Sequence, residues 1–464
     1  MNFNENNAAL MKVEELLKSY EGEMIETLQR WIAIPSVMDE AAEGAPFGKE
    51  VRHMLDVAMA DCEKMGFDTL IAGGYAGHAE MGAGEDADAL AILAHLDVVP
   101  VGDGWARDPF GGQVENGFIY GRGTNDDKGP AVAALYAMRA VKEAGIPLKK
   151  KVRLILGCNE ECGGGEDLLE YARYTTMPRS GFSPDAGYPV INIEKGGLHL
   201  ILEGEMSKEG LQVKSLHAGT RPNVIPGYAE AIVYGDEKLI ESVKKLDLGF
   251  ETGAEAAGEG LVKVWSKGTL GHAAFPEAAK NAIGQLLILL RFLGVKGALA
   301  DLADVIGTDA FGERLGIAME DKLSGKLTAS MDILDAEDGK VRAVVDTRTP
   351  LTAGHENLIR LAQMALRNMT VRCEGSREGH YVPADSELVQ GLLKAYSAVT
   401  GEKGHTVAIG GGTYAHYMQE GVAFGAVFEN EEDCAHQANE YMNIESLYKN
   451  MRIFARAILE LAAE

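Results

Sequence analysis

The sequence predicts an α/β protein, a mixed sheet covered by helices, into which a separate α+β domain is inserted. Three observations predict it. Apolar strand-like runs alternate with helical periodicity as far as about Lys195, clustered strands with occasional helices then take over, and the first pattern returns after roughly Pro383. The first domain is therefore expected at residues 1–194 plus 385–464 and the inserted domain at 195–384. A chain of 464 residues also exceeds what one hydrophobic core usually supports.

Leu10, Val13, Leu17, Tyr20, Met24, Leu28 and Trp31 recur at three- or four-residue steps, which predicts a long amphipathic helix with one buried stripe. Lys49 to Met65 reads as a second helix closed by Gly66, and the polar, Gly-rich region up to Asp88 as hairpin strands. Ala89 to Ala94 is short and wholly apolar, as a strand covered on both faces should be, and it delivers HLDVVP at its end. Glu115-Asn116-Gly117 signals a hairpin, and helical periodicity resumes at Ala131, so a loop carries Asp126 and Asp127 into a helix start. Lys151 to Gly165 holds a strand-like apolar run that ends in the adjacent pair Glu160 and Glu161, followed by glycines; a helix follows over Glu166 to Arg173, and Asp185 sits in a turn.

In the insert, strands are expected at HLILEGEM, LQVKSLHAG, AEAIVYG and LVKVWSKG, with helices near Glu237 to Lys245 and Glu277 to Leu293. A second set follows in LTASMDILD, KVRAVVDTRTP, a helix near Glu356 to Asn368 and MTVRCEG, which suggests two related halves, although no literal repeat is present. Beyond the insert come a helix from Ser386 to Thr400, the glycine-rich GGGTYAHY, a strand VAFGAVF and a last helix from about Ile444.

With 70 acidic against 44 basic side chains, the net charge of -26 opposes a nucleic-acid footprint and an anionic membrane partner. No stretch has the length of a spanning helix, the first ten residues lack the basic and apolar regions of a secretory leader, and five cysteines suit a reducing compartment, so a cytoplasmic location is expected.

Neighbouring carboxylates repel, so Glu160 and Glu161 at a strand end call for water or a cation. His95 and Asp97, two apart on an extended segment, can act together, imidazole as ligand and carboxylate as its orienting partner. By itself that pair is a weak signal, because a buried, satisfied histidine is the commoner case. Asp126, Glu161, Asp185 and His436, however, also lie past strands or in loops where a sheet's carboxyl ends would gather them. Mixed imidazole and carboxylate donors suit zinc, cobalt or manganese, and such a set suits two ions about 3.5–4 Å apart. Cys158, Cys162 and Cys434 lie near these residues and are read as buried neutral thiols rather than ligands. His53, His78 and His217 have no companion ligand nearby in sequence and are read as structural or solvated.

HLDVVP, GRGTNDDKGP, NEECGG, SPDAGYP and AHQANEY stand in the order and spacing of the M20 family of co-catalytic metallopeptidases, and the chain most resembles its PepV-like dipeptidase branch. RPNVIPG, GHAAFPE, VDTRTP and GGGTYA extend the resemblance, which runs from about Trp31 onward. The resemblance implies two divalent ions, zinc first, with His95 and Asp185 on one, Glu161 and His436 on the other, and Asp126 bridging. It implies Asp97 as the partner behind a ligand, Glu160 as general base and a cis peptide between Asp126 and Asp127. The insert resembles the family's lid, where His272 would polarise the scissile carbonyl and Asn223 and Arg348, with Gly412 of the glycine triplet, would bind substrate. The expected reaction is hydrolysis of unblocked dipeptides by a monomer. N-acyl amino acid deacylation, aminopeptidase or tripeptidase action, and a non-catalytic binding relic are the alternatives. Three departures from the branch pattern stand out: Asn159 and Cys162 where Asp and Ser are expected, and His416 where an arginine is expected.

Overall fold

The computed structural model describes residues 3–464, the side chains of residues 3–7 and 9 excepted. Met1 and Asn2, part of the stretch searched for a leader, lie outside the described residues. Among the described residues no helix is long and apolar enough to cross a membrane. The chain divides into two compact units, the first made of Met1–Asn192, Tyr381–Val407 and Gly412–Glu464, the second of Ile193–His380 and Ala408–Gly411.

The first unit grows from the stripe on helix Phe3–Ile32, whose Val13, Leu17, Tyr20, Met24, Leu28 and Trp31 are all buried. Trp31 Nε1 donates to Asp61 Oδ2 at 2.9 Å, anchoring helix Lys49–Lys64, and Thr27 Oγ1 meets Tyr136 OH of helix Lys128–Ala144 at 2.9 Å. Helix Lys49–Lys64 is followed by Gly66 at φ +76°, the left-handed closure the sequence predicts. Hairpin strands Asp68–Ala72 and Ala76–Met81 come next. The turn Asn116-Gly117, φ +52° and +83°, joins Gln113–Glu115 to Phe118–Tyr120 in the manner of a type I′ hairpin.

The sheet of this unit is mixed, and at its centre run the parallel strands Val152–Gly157, Leu90–His95, Ser180–Ser183 and Glu420–Ala423, in that spatial order. All six residues of Leu90–His95 and of Val152–Gly157 are buried, because helices cover both faces of a parallel core. VAFGAVF forms two short strands, Glu420–Ala423 and Ala426–Val427, not one; the chain breaks at the cis Gly425–Ala426 peptide.

The second unit holds an antiparallel sheet in the order Glu251–Gly258, Leu261–Lys267, Tyr228–Tyr234, Val213–Ala218, Thr328–Glu337, Lys340–Thr349, Gly196–Gly210 and Val295–Gly297, with Met369–Arg377 also paired to Gly196–Gly210. Helices Ala282–Phe292 and Ala298–Val305 pack their leucines into its core. The helix expected from Glu277 begins only at Ala282. Pro276–Ala278 is a short 3-10 turn, and Asn281 Oδ1 caps the helix by accepting from the amides of Ile283 at 2.9 Å and Gly284 at 3.2 Å. Strand Glu251–Gly258 and helix Ala298–Val305 are absent from the sequence reading. The first is an edge strand, largely exposed and rich in Ala, Gly and Glu, so neither alternation nor β-branched residues mark it.

Candidate metal centre

Three neighbouring parallel strands end together: His95 stands opposite Gly157, and Ile92 opposite Phe182 two residues before Pro184-Asp185. Their carboxyl ends thus release His95, the Glu160–Glu161 turn and Asp185 side by side, where open α/β sheets collect their ligands. Asp126 arrives from the loop before helix Lys128–Ala144, and His436 from a loop leading to strand Tyr441–Asn443, with its backbone at φ +63°. Gly157 closes the strand because a Cβ there would stand 2.4 Å from the Tyr414 ring and 2.7 Å from Asp167 Oδ2.

Asp126 is shared between two histidines. Its Oδ1 lies 2.9 Å from His95 Nε2 and its Oδ2 2.9 Å from His436 Nε2. Asp185 Oδ2 is 3.6 Å from His95 Nε2, and Glu161 Oε2 is 2.8 Å from His436 Nε2. The result is two groups, His95–Asp126–Asp185 and Asp126–Glu161–His436, in each of which the ligand atoms lie within 4.8 Å of one another. The Asp126–Asp127 peptide is cis. Asp127, fully buried, turns Oδ2 to the His95 amide at 3.2 Å and leaves Oδ1 without a hydrogen-bond partner.

Asp97 serves both sides of the cluster. The His95 Nδ1 contact at 2.9 Å is to the Asp97 backbone carbonyl, while the carboxylate Oδ1 stands off at 3.6 Å. That carboxylate also accepts the Glu160 amide on Oδ1 at 3.2 Å and the Glu161 amide on Oδ2 at 3.1 Å, so it caps the glutamate turn.

Crowding sets the protonation of these groups. Loss of water, then the Asp185 carboxylate, push the Glu160 carboxyl well above its ordinary range. Burial and Asp126 raise Glu161 to about 7, and the same causes raise Asp185 to about 6. Burial opposes charge on His436, but Asp126 and Glu161 outweigh it and raise the imidazole to about 11; His95 is likewise raised, by Asp126 and Asp185. Asp126, between the two rings, is held well below the carboxylate range against its own burial. So many carboxylates around two imidazoles invite cations. The donor set is the imidazole–carboxylate mixture that zinc, cobalt and manganese accept, and Glu161 Oε1 is buried with no hydrogen-bond partner, as an oxygen reserved for an ion would be.

Cys158 and Cys434 are buried and their thiols are raised by burial, Cys434 to about 11; its Sγ donates to the Tyr441 carbonyl at 3.1 Å. Cys162 is exposed, contrary to the sequence reading, because its turn points outward after the glutamates. None of the three joins the two groups of ligand atoms.

Residues 91–460 match the family described as "Peptidase family M20/M25/M40". The chain belongs to this family. The M20 chain is 37% identical over 476 residues to the Beta-Ala-Xaa dipeptidase of Lactobacillus delbrueckii subsp. lactis, covering 98% of this chain and 99% of the relative. Human carnosine dipeptidase 1 shares the fold with a TM-score of 0.61 at 16% identity, over 97% of this chain and 98% of that one. The M20 family metallo-carboxypeptidase Sso-CP2 of Sulfolobus solfataricus does so with a TM-score of 0.58 at 20% identity, over 95% and 99%. The protein is thus a metallopeptidase of the M20 family with that family's α/β architecture.

The remaining residues singled out in this M20 peptidase are distributed over both units. In the second unit, the strand pair Val224–Ile225 and Gly271–His272 sets His272 opposite Val224, beside Asn223 at φ +70°. His272 Nδ1 accepts the Ala274 amide at 3.0 Å, which assigns the proton of the neutral ring to Nε2 and makes that nitrogen a donor. Arg348 is engaged by Asp346 and by the Gly410 carbonyl, at 3.0 Å from Nη1. In the first unit, Gly412 is exposed, and His416 stacks on Tyr417 with ring centroids 4.3 Å apart.

Asp167 and Tyr414 escaped the sequence reading. Asp167 Oδ2 accepts the amides of Cys158 at 2.7 Å and Asn159 at 3.1 Å, and the Tyr414 hydroxyl donates to the same oxygen, so the pair fixes the approach to Glu160. Tyr414 lies in the quoted GGGTYAHY, but a lone tyrosine in a glycine-rich run carries no charge signal to betray its partner.

Proposed function

We propose that this M20 metallopeptidase is a dipeptidase acting on unblocked dipeptides, with Glu160 as general base. The observation that carries the reading is the sharing of Asp126 between the His95 and His436 groups beside a spare glutamate. Two divalent ions, zinc or a similar borderline metal, would be held by His95 and Asp185, by Glu161 and His436, and by Asp126 in common, and would supply Lewis-acid polarisation of the scissile carbonyl and an acidified water. Glu160 belongs to no ligand group, and as a carboxylate beside the cluster it would take a proton from the attacking water and, once protonated, return it to the departing amine. Asp97 holds Glu160 and Glu161 in register by their amides. His272 would donate from Nε2 toward the carbonyl oxygen as negative charge develops, and Arg348, with Asn223 and Gly412, would receive the substrate carboxylate.

The relative named a Beta-Ala-Xaa dipeptidase supports a dipeptide substrate. The test is hydrolysis of a matched panel: unblocked dipeptides, tripeptides, N-acetylated dipeptides and N-acyl amino acids, with metal-loaded and chelated protein. Chelator-sensitive cleavage confined to unblocked dipeptides is expected. Preference for acylated substrates would make the protein a deacylase with the same chemistry, cleavage of tripeptides would make it an aminopeptidase, and no cleavage by metal-loaded protein would leave a binding relic.

A further inference from the structure

Four residues past His436, the carboxylate of Glu440 is wholly buried in the first unit. Its Oε2 accepts from Arg122 Nη1 at 2.6 Å, and Arg122 is itself 1% exposed. Its Oε1 gathers three consecutive-loop amides, Gly123 at 3.0 Å, Asn125 at 2.9 Å and Asp126 at 3.2 Å. The backbone adds a further tie, from the Gly121 amide to the Glu440 carbonyl at 2.9 Å. Arg122 also lies over the Trp105 ring, 5.4 Å from its centroid, in the segment after His95 and Asp97.

A buried ion pair is by itself poor evidence of stability, since desolvation offsets most of the attraction. What distinguishes this one is where its hydrogen bonds go. One carboxylate oxygen is spent on the amide of Asp126, whose own carboxylate is shared by both histidines, and the residue supplying it is joined by a short loop to His436. His436 needs such support: its side chain is 55% exposed and its backbone takes a positive φ, so packing alone does not hold it. Asn439 adds a second tether, its Oδ1 accepting the Ala106 amide at 2.7 Å.

We propose that Glu440, paired with Arg122, is the positioning residue of the metal centre: it fixes the backbone of the Gly123–Asp126 loop against the His436 loop and so sets the separation of Asp126 from His436. The proposal rests on the two-ion reading above. Glu440 touches no ligand atom and acts only through the placement of Asp126 and His436. Its loss therefore weakens chiefly the Asp126–Glu161–His436 group.

The full chain is stripped with chelator, reloaded with Zn²⁺ or Co²⁺, and the affinity of each equivalent is read by chelator competition. Glu440→Gln is expected to weaken one of the two equivalents more than the other, by about 10–100-fold, the range for groups that orient ligands, while far-UV circular dichroism stays that of the wild type. Glu440→Asp keeps the charge but falls one methylene short of the amides, and it is expected to lose affinity as well. Should Glu440→Gln fail to fold, Arg122→Lys, which retains the buried positive charge without the fork, carries the same expectation. A folded variant with wild-type affinity for both equivalents, even one that melts at lower temperature, overturns the proposal. Wild-type protein that takes up no divalent ion would instead overturn the two-ion reading beneath it.

Discussion

Asp346 holds Arg348 along one edge, Nε to Oδ1 and Nη2 to Oδ2, each at 2.7 Å, with the two residues on the same face of strand Lys340–Thr349. The guanidinium is thereby oriented before any ligand arrives, and part of its charge is already answered. In the proposed role, recognition of a substrate carboxylate would depend on geometry more than on net charge. Arg348→Lys keeps the charge and loses the fork, and kcat/KM for unblocked dipeptides is expected to fall by about 10–100-fold, a loss of about 1.5–3 kcal/mol. Asp346→Asn should show the same direction, mainly as a rise in KM. Steady-state kinetics on dipeptides and their C-terminal amides check this, because the amides should be nearly indifferent to both substitutions.

Glu160→Gln removes the proposed proton carrier while leaving the ligand groups in place. A loss of about 10²–10⁴ in kcat is expected, with metal content unchanged by elemental analysis. Full activity in the metal-loaded variant would remove Glu160 from the mechanism.

Chelation should do more than stop hydrolysis. Asp126, Asp185 and Glu161 crowd two imidazoles, so ions bound to the native state alone add stability by mass action. The melting temperature is expected to fall on stripping and to recover on adding Zn²⁺, in a concentration-dependent way, when followed by circular dichroism.

His78 gives the fold an acid limit distinct from the metal centre. It is buried beside Tyr171, whose hydroxyl is 2.6 Å from Nδ1. Burial and then the nearby Arg153 charge lower its pKa from 6.5 to about 4. The unfolded chain therefore binds a proton that the native state refuses. The contribution of His78 to stability is complete above pH 6.5 and diminishes by about 3 kcal/mol as the pH drops towards 4. The raised carboxyls of Glu161 and Asp185 act in the opposite direction over the same range, so the His78 contribution is read as a difference: in urea denaturation between pH 4 and 7, wild type should lose more stability on acidification than His78→Asn.

The parallel core was legible because Leu90–His95 and Val152–Gly157 are unbroken apolar runs that stop at chemistry-bearing residues. Helix Phe3–Ile32 was legible from its stripe. Residues that only support others were harder to see. The two-residue spacing of His95 and Asp97 signals a carboxylate near the imidazole, 3.6 Å away, but not its second task at the glutamate amides, which come from a loop 63 and 64 positions further on. Glu440 and Arg122 lie 318 positions apart, and Tyr414 and Asp167 lie 247 apart, so no local pattern joins them. The start of helix Ala282–Phe292 was misplaced because Glu277 looks like a helix start, whereas the Asn281 cap decides it.

Asp185 and His436 are separated in the chain by the whole continuous stretch Ile193–His380 of the second unit. A ribosome therefore delivers His95, Asp126, Glu161 and Asp185 first, and must then synthesise that stretch entire before the last imidazole emerges. Until then the cluster around Asp126 has one imidazole in place of two. A message truncated before residue 436 yields a product that lacks the second imidazole, so for the proposed reaction translation order would act as a safety catch.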